Sequence, residues 1–517
     1  MKKSTRMVSL ILAGVMVLLT ACSSGGTSSG GSGSGNTGTE PKTSVVSTLQ
    51  VLPSSLDTTK TSDLSSIMFQ IHEGLVIDRD NKIQPALAES WEVSDDATTI
   101  TFHLRSGTTF HNGDPVTADD VVFSVNRAAA SPFVTIMAGA IDKAEKIDDT
   151  TVKVTFKYPY GPGLKCFTTS ALFIMPKALI EADEDGYGQN PVGAGPYKVK
   201  ELVPGEKCVL EAYEGYYEGV PEIKEVTFRI INDTTTALIA LEKGELDTMD
   251  SNIPEEAREE LMNNKDLQYA EGESNAFLAI MFNNKSGPFA DKRVREAVSY
   301  AVNRQEVIDG AKNGMATLLE APLLTSCPEY PTDFKANPLD IEKAKELLTQ
   351  AGYPNGFSCT MKTVDSPTYS KPTEIIQAQL KKIGIDVQIE IMERNKYVEE
   401  VTLQGDFDLT FWAIVSKVID ADFCQYTFFH SAYQDGKGNY SHIDNPQLDA
   451  LLDEGRACID PVRRKEIYAE TCQIIKDESM MVPMYMAKRT LAANKDLVGL
   501  ELRPDNTRRY KYASWSK

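Results

Sequence analysis

With 517 residues the chain is too long for one compact hydrophobic core, so two or three lobes are expected. Apolar residues make up 41% and charged residues 25%, the balance of a globular protein, while a formal net charge of -21 argues against a nucleic-acid partner. The same charge favours solubility and gives no reason to expect a cationic ligand. Of eight cysteines, Cys22 stands apart, and the other seven contain no C-x-x-C and no histidine at zinc-ligand spacing. An odd number leaves at least one thiol free in a monomer, and a chain this large needs no disulfide framework, so small buried thiols are expected. No metal and no cofactor is expected.

Lys2, Lys3 and Arg6 precede an apolar run from Met7 to Leu19. That run falls short of the roughly 20 residues that span a bilayer as a helix, so residues 1–21 read as a secretory signal peptide. It ends in Leu19-Thr20-Ala21-Cys22, which resembles a lipobox. Cleavage before Cys22 and transfer of diacylglycerol to its sulfur would give a multi-chain anchor strong enough for stable membrane attachment. Ser23 to Thr39 is almost entirely Ser, Gly and Thr and builds no core. Residues 22–42 therefore read as a lipidated cysteine and a tether, with a reach of about 20 to 25 Å.

The folded part opens near Val45 with a strand and then LDTTKTSDLSSIMFQIHEGLV, which holds a helix. In TITFHLR, Ile100, Phe102 and Leu104 alternate with Thr101, His103 and Arg105, the pattern of a half-buried strand. Asn112-Gly113-Asp114-Pro115 suits a turn, and Thr117 with Asp120 at capping-box spacing starts a helix through Val121, Val122 and Val125. A strand at Thr151 to Phe156 and a helix near Pro176 to Glu181 follow. The acidic run Glu181-x-Asp183-x-Asp185-Gly186 has Val192 where a calcium loop needs its closing glutamate, so it reads as a solvated turn. Strands are expected at Tyr197 to Leu202, Lys207 to Tyr213, Glu225 to Ile231 and Ala276 to Asn283, and helices at Thr235 to Lys243 and Arg293 to Val302. Phe357 to Thr363, Glu374 to Ile383, Ile385 to Ile391, Lys396 to Leu403 and Phe407 to Trp412 then alternate β-α-β-α-β, which favours a parallel sheet. Two helices, Pro446 to Arg456 and Val462 to Glu478, precede VPMYMAKRT.

The segment TFHLRSGTTFHNGDPVTADDV, Thr101 to Val121, closely resembles the signature of the family-5 extracytoplasmic solute-binding proteins, the peptide, dipeptide and nickel receptors of ABC importers. The resemblance continues in PVGAGPYKVKEL from Pro191, ALEKGELD from Ala240, FADKRVREAVSYAVNRQEVI from Phe289 and DIEKAKELLTQAGYPNG from Asp340, and so covers almost the whole mature chain. It implies an α/β, two-lobed periplasmic-binding-protein-like fold (type II) with an extra α+β subdomain in the N-terminal lobe. Lobe I would comprise residues 43–75, 193–282 and 483–517, the subdomain 76–192, and lobe II 283–482. It also implies a monomer that takes a peptide or other small solute between its lobes and passes it to ABC permease subunits. In such proteins the loop before the first helix lies at the cleft mouth, which makes Thr61 and Ser62 candidates for ligand contact.

No catalytic constellation is present: the single G-x-S-x-G match, Gly26 to Gly30, falls in the Ser/Gly/Thr tether rather than at a strand-to-helix turn, and the sequence has no phosphate-binding loop and no second histidine four residues after His72-Glu73. Residues 407–440 are instead rich in aromatics, and in an open α/β sheet ligands sit beyond the carboxyl ends of strands. Trp412 at a strand end, followed by Asp420 and Asp422, supplies the apolar wall and the placed charges of a cleft for an amphipathic ligand. Relatives that bind free peptides carry an aspartate three residues after this tryptophan for the α-ammonium group, and here that position is Val415. Either Asp420 or Asp422 takes over that role, or the ligand is not a short peptide with free ends. An opine, a sugar or a nickel chelate is then the alternative solute, and an envelope lipoprotein hydrolase the alternative class. The lipobox assignment has its own test. Cys22→Ala should accumulate unprocessed precursor, and unchanged size with unchanged membrane attachment would contradict it.

Overall fold

Thr99–Leu104 buries Ile100, Phe102 and Leu104, as its alternation requires, and forms an inner strand of a four-stranded antiparallel sheet. The order in that sheet is Ala88–Val93, Thr99–Leu104, Thr151–Phe156, Ile141–Asp148. Helix Ala118–Ala130 packs on it through Val121, Val125 and Ala128. Its start is a capping box: the Asp120 N–H donates to the Thr117 hydroxyl at 3.3 Å, and the Thr117 N–H donates to the Asp120 carboxylate at 3.0 Å. The structure, a computed structural model, describes residues 41–62, 65–79, 82–249 and 253–516. The signal peptide, Cys22 and nearly all of the tether lie outside the described residues.

A second sheet carries the chain on both sides of this subdomain. Ser44–Leu49 pairs in parallel with Glu225–Ile230, which continues antiparallel through Lys207–Ala212 to Tyr197–Val203. Val45, Tyr197, Leu210, Phe228 and the late Tyr510 share its core. The turn PVGAGPY reaches this sheet by passing against helix Met68–Ile71, where a side chain at Gly193 or Gly195 would collide with the carbonyls of Ile71 and Gln70. Close backbone approach explains both glycines.

The third sheet has six strands in the order Ala316–Leu318, Met481–Ala487, Ala276–Phe282, Leu409–Val415, Phe357–Val364, Ile385–Met392. The last three are parallel, as the β-α-β-α-β pattern predicts, and Ala276–Phe282 and Met481–Ala487 extend them antiparallel. The expected boundaries at 282 and 483 are therefore displaced. Six of the seven side chains in AFLAIMF are buried, an environment that an interior strand of a covered sheet provides, so this strand belongs to the second lobe. The first lobe's own pairing ends with Gly272 opposite Arg489, and the chain crosses at residues 273–275 and at Lys488. The first intervening helix also starts earlier than expected, at Pro367, because a proline in the first turn gives up an N–H that has no helical partner there. The second becomes one α turn, Arg394–Tyr397, running into a wider π turn, Val398–Leu403.

All seven cysteines among the described residues are reduced; six are buried, and burial pushes the Cys472 thiol up to about 12. No helix among the described residues is long and apolar enough to cross a membrane.

The subdomain and the second lobe touch. Val418 and Phe423 of the second lobe pack into the subdomain core, Lys165 reaches Asp420 at 3.0 Å, and the Gly161 N–H donates to the Arg456 carbonyl at 2.7 Å. A Cβ at Gly161 would stand 2.5 Å from the Cys458 carbonyl. Gly161→Ala should force this seam apart at a cost of about 1 to 3 kcal/mol. Small-angle scattering should then give a larger radius of gyration for the variant, and an unchanged radius with unchanged stability would contradict the close approach.

Candidate functional site: a cleft beside Trp412

Trp412 lies on strand Leu409–Val415, whose parallel partner Phe357–Val364 precedes the helix that carries Tyr369. Tyr369 stacks on the indole with centroids 4.6 Å apart and an interplanar angle of 21°, and Tyr397 contacts it at 4.5 Å and 32°. Tyr397 is itself fixed: it is fully buried and shares a 2.7 Å hydrogen bond with the Thr410 hydroxyl. The indole is thus held by two tyrosines and remains half-buried, with its free part on a cavity.

That cavity measures about 890 Å³ and lies between the subdomain and the second lobe. Tyr158 and Tyr160 form its subdomain wall, while Trp412, Val415, Phe428 and Tyr433 face them from the second lobe. Thr402 and Leu403 enter from the π turn, an irregularity that recurs at functional sites. A second cavity of about 440 Å³ lies where the first lobe, the subdomain and the second lobe meet. It is polar: Lys165, Asn275, Ser416, Arg503 and Asp505 line it. Asn275, at the chain crossing, donates to the Ser416 carbonyl at 2.9 Å, and the Ser416 N–H donates back to the Asn275 carbonyl at 2.8 Å. The end of the Trp412 strand is thereby tied to the segment that crosses between the lobes.

Asp420 and Asp422 are both placed by protein partners. Asp420 caps helix Ala421–Phe429 by accepting from the Asp422 N–H at 3.0 Å. Its carboxylate takes two bonds from Arg464, at 2.9 and 2.6 Å, and one from Lys165 at 3.0 Å. Arg464 also binds Glu329. Burial works to raise the Asp420 carboxyl, but Arg464 and Lys165 overcome it and hold the group well below the usual carboxylate range. Asp422 receives two bonds from Arg456, at 2.9 and 3.0 Å, and lines the large cavity. Burial pushes its carboxyl up against the pull of Arg456. The expectation that one of these aspartates meets a ligand ammonium thus encounters carboxylates already bound by guanidinium groups. Thr61 is buried and bonded to the Ser54 hydroxyl at 3.1 Å, Ser62 is exposed, and neither lines the two cavities.

Arg456, Arg464, Lys165 and the two subdomain tyrosines carry no signal in the sequence that links them to Trp412. Arg456 lies 34 residues from Asp422, on a different helix, and only the fold makes them a pair. Tyr158-Pro159-Tyr160 was visible as an aromatic cluster beside a proline, without any indication of what it would face.

Residues 82–436 match the model of the bacterial extracellular solute-binding proteins, family 5. The chain belongs to that family. It is 31% identical over 448 residues to the glutathione-binding protein GsiB of Escherichia coli K12, across 84% of this chain and 86% of the relative. Among solved structures it is similar to the periplasmic binding protein DppA of Helicobacter pylori in complex with the peptide STSA, at 27% identity and a TM-score of 0.79, covering 92% of this chain and 99% of that one. It is similar also to AgaA of A. tumefaciens R10 in complex with agropinic acid, at 29% identity and a TM-score of 0.77, covering 92% and 99%. This family-5 protein therefore has the two-lobed α/β fold of the type II periplasmic binding proteins and is a solute-binding protein of an ABC importer.

The charge network of this family-5 protein makes a direct prediction. The stability that Asp420 contributes is complete above the unfolded carboxylate range near pH 4 and is lost as pH falls toward its depressed folded value. Asp420→Asn leaves Arg464 and Lys165 short of a counter-charge and should cost about 3 to 5 kcal/mol. The measurement is the Tm at neutral pH, and an unchanged Tm would show that the network does not stabilise the fold.

Proposed function

We propose that this protein is the lipid-anchored, extracytoplasmic receptor of an ABC importer, and that it holds a peptide-sized amphipathic solute in the cavity beside Trp412 before delivering it to the permease. The observation that carries this reading is the cavity itself. At about 890 Å³, lined by seven aromatic side chains and a few placed polar groups, it falls within the range of about 300 to 1,000 Å³ typical of small-molecule sites. The relatives named above bind glutathione, a peptide and agropinic acid, and a peptide is the ligand class that suits two of the three and this cavity. Cys22 supplies the anchor, the Ser/Gly/Thr stretch supplies the reach to the permease, and the receptor works as a monomer.

The protein performs no chemistry on its solute in this reading. His72 and His111, which an acid-base mechanism would recruit, are turned to backbone: His72 Nε2 meets the Leu56 carbonyl at 3.0 Å and His111 Nε2 the Gly195 carbonyl at 3.0 Å. Burial lowers both to about 4, so they are neutral at physiological pH. Incubation with a peptide mixture should give stoichiometric retention without product, and turnover would overturn the receptor reading in favour of a hydrolase.

Trp412 provides the residue-level test. Solute binding should shift its fluorescence, and Trp412→Ala should weaken binding by about 1 to 3 kcal/mol in a protein that still folds. An indole that served only as core would behave otherwise, costing about 3 to 5 kcal/mol of stability whether or not solute is present.

A further inference from the structure

The charged side chains that line the Trp412 cavity decide which solute it accepts. Among the described residues they are three: Asp422, Arg456 and Lys437. Asp422 is the only carboxylate, and Arg456 occupies both of its oxygens. That pair is locked further by the Arg456 guanidinium, which lies 3.1 Å from the Tyr426 ring centroid, and by a burial that leaves Asp422 2% exposed. Val415, on the cavity wall, is 43% exposed and brings no charge. Lys437 is exposed at the rim and forms no ion pair among the described residues. The cavity thus offers aromatic surface, one neutralised ion pair and one uncompensated positive charge.

An ammonium group brought into such a space loses its water and gains no counter-charge, which opposes binding, whereas a carboxylate can meet Lys437. We infer that the cavity selects an amphipathic carboxylate without a free ammonium group, and that an N-acylated peptide is the class it takes. This rests on the receptor reading above and narrows its ligand. The acyl cap removes the charge that the site cannot satisfy and adds apolar surface for the tyrosine and tryptophan walls. The free carboxyl end remains for Lys437.

The test is competitive retention. Purified protein is equilibrated with a mixed dipeptide library, half of it quantitatively N-acetylated, and the bound fraction is read by mass spectrometry. The acetylated half should be enriched at least tenfold. Lys437→Gln should reduce the affinity of acetylated dipeptides severalfold while leaving that of their C-terminal amides unchanged. Val415→Asp, at an exposed position that tolerates a polar side chain, places an unpaired carboxylate on the wall and should reverse the preference toward free amino termini. Equal enrichment, or enrichment of the free dipeptides, in the wild-type protein overturns the inference. So does a loss of free-dipeptide binding in Glu273→Gln, because Glu273 lines the neighbouring polar cavity without an ion pair among the described residues and could take an ammonium there. Retention of neither half overturns it as well, and the receptor reading is then judged separately, by whether non-peptide solutes shift the Trp412 fluorescence.

Discussion

Four buried or half-buried charges, Lys165, Glu329, Asp420 and Arg464, hold the loop that follows Trp412, and both cavities take their shape from that loop. Residues Ser416 to Ile419 line the polar cavity, and Asp422 and Phe423, just past the cap at Asp420, line the aromatic one. Buried ions are costly to desolvate, and a well-packed apolar quartet would often be as stable. What the ions add is geometry. Arg464 presents a planar fork that fits one orientation of the Asp420 carboxylate, and Lys165 carries that constraint across to the subdomain. Glu329 shares the same guanidinium, and burial together with the negative charge of Asp420 raises its carboxyl.

Around this loop the structure separates two tasks. The crossing segment meets the end of the Trp412 strand through Asn275 and Ser416, contacts made between backbone carbonyls, an amide side chain and N–H groups. The subdomain meets the second lobe through Tyr158, Tyr160 and the Gly161 seam, and it is there that the large cavity opens. Any motion that separates the lobes must therefore break the Lys165–Asp420 bridge and withdraw the tyrosine wall from Trp412. That coupling follows from topology: the chain crosses between lobes at residues 273–275 and at Lys488, next to the strands that support the site.

Local patterns in the sequence carried much of this. The alternation in Thr99–Leu104, the capping box at Thr117 and the parallel run through Trp412 all depend on neighbours within a few residues, and each could be read directly. Strand Ala276–Phe282 was legible as a strand but not as part of the second lobe, because its uniform burial says only that it is covered on both faces. Trp412 was legible as an aromatic of this strand but was expected at its end, whereas the strand runs on to Val415 because residues 413–415 also pair with Ala276–Phe282. Asp420 and Asp422 were equally visible, but their partners were not: Arg456 and Arg464 lie 34 and 44 residues away, and no spacing rule brings them together. A carboxylate beside an aromatic strand end reads the same from sequence whether it faces a ligand or an arginine. The difference is tertiary.

The central claim is that solute sits between the subdomain and the second lobe, against Trp412. Hydrogen–deuterium exchange, with and without a peptide hydrolysate in its free and N-acetylated forms, reports on both walls at once. The account predicts slower exchange in three places on binding: the Leu409–Val415 strand and the loop after it, residues 427–440, and residues 158–161 of the subdomain. Protection confined to other segments, with these three unchanged, would contradict it.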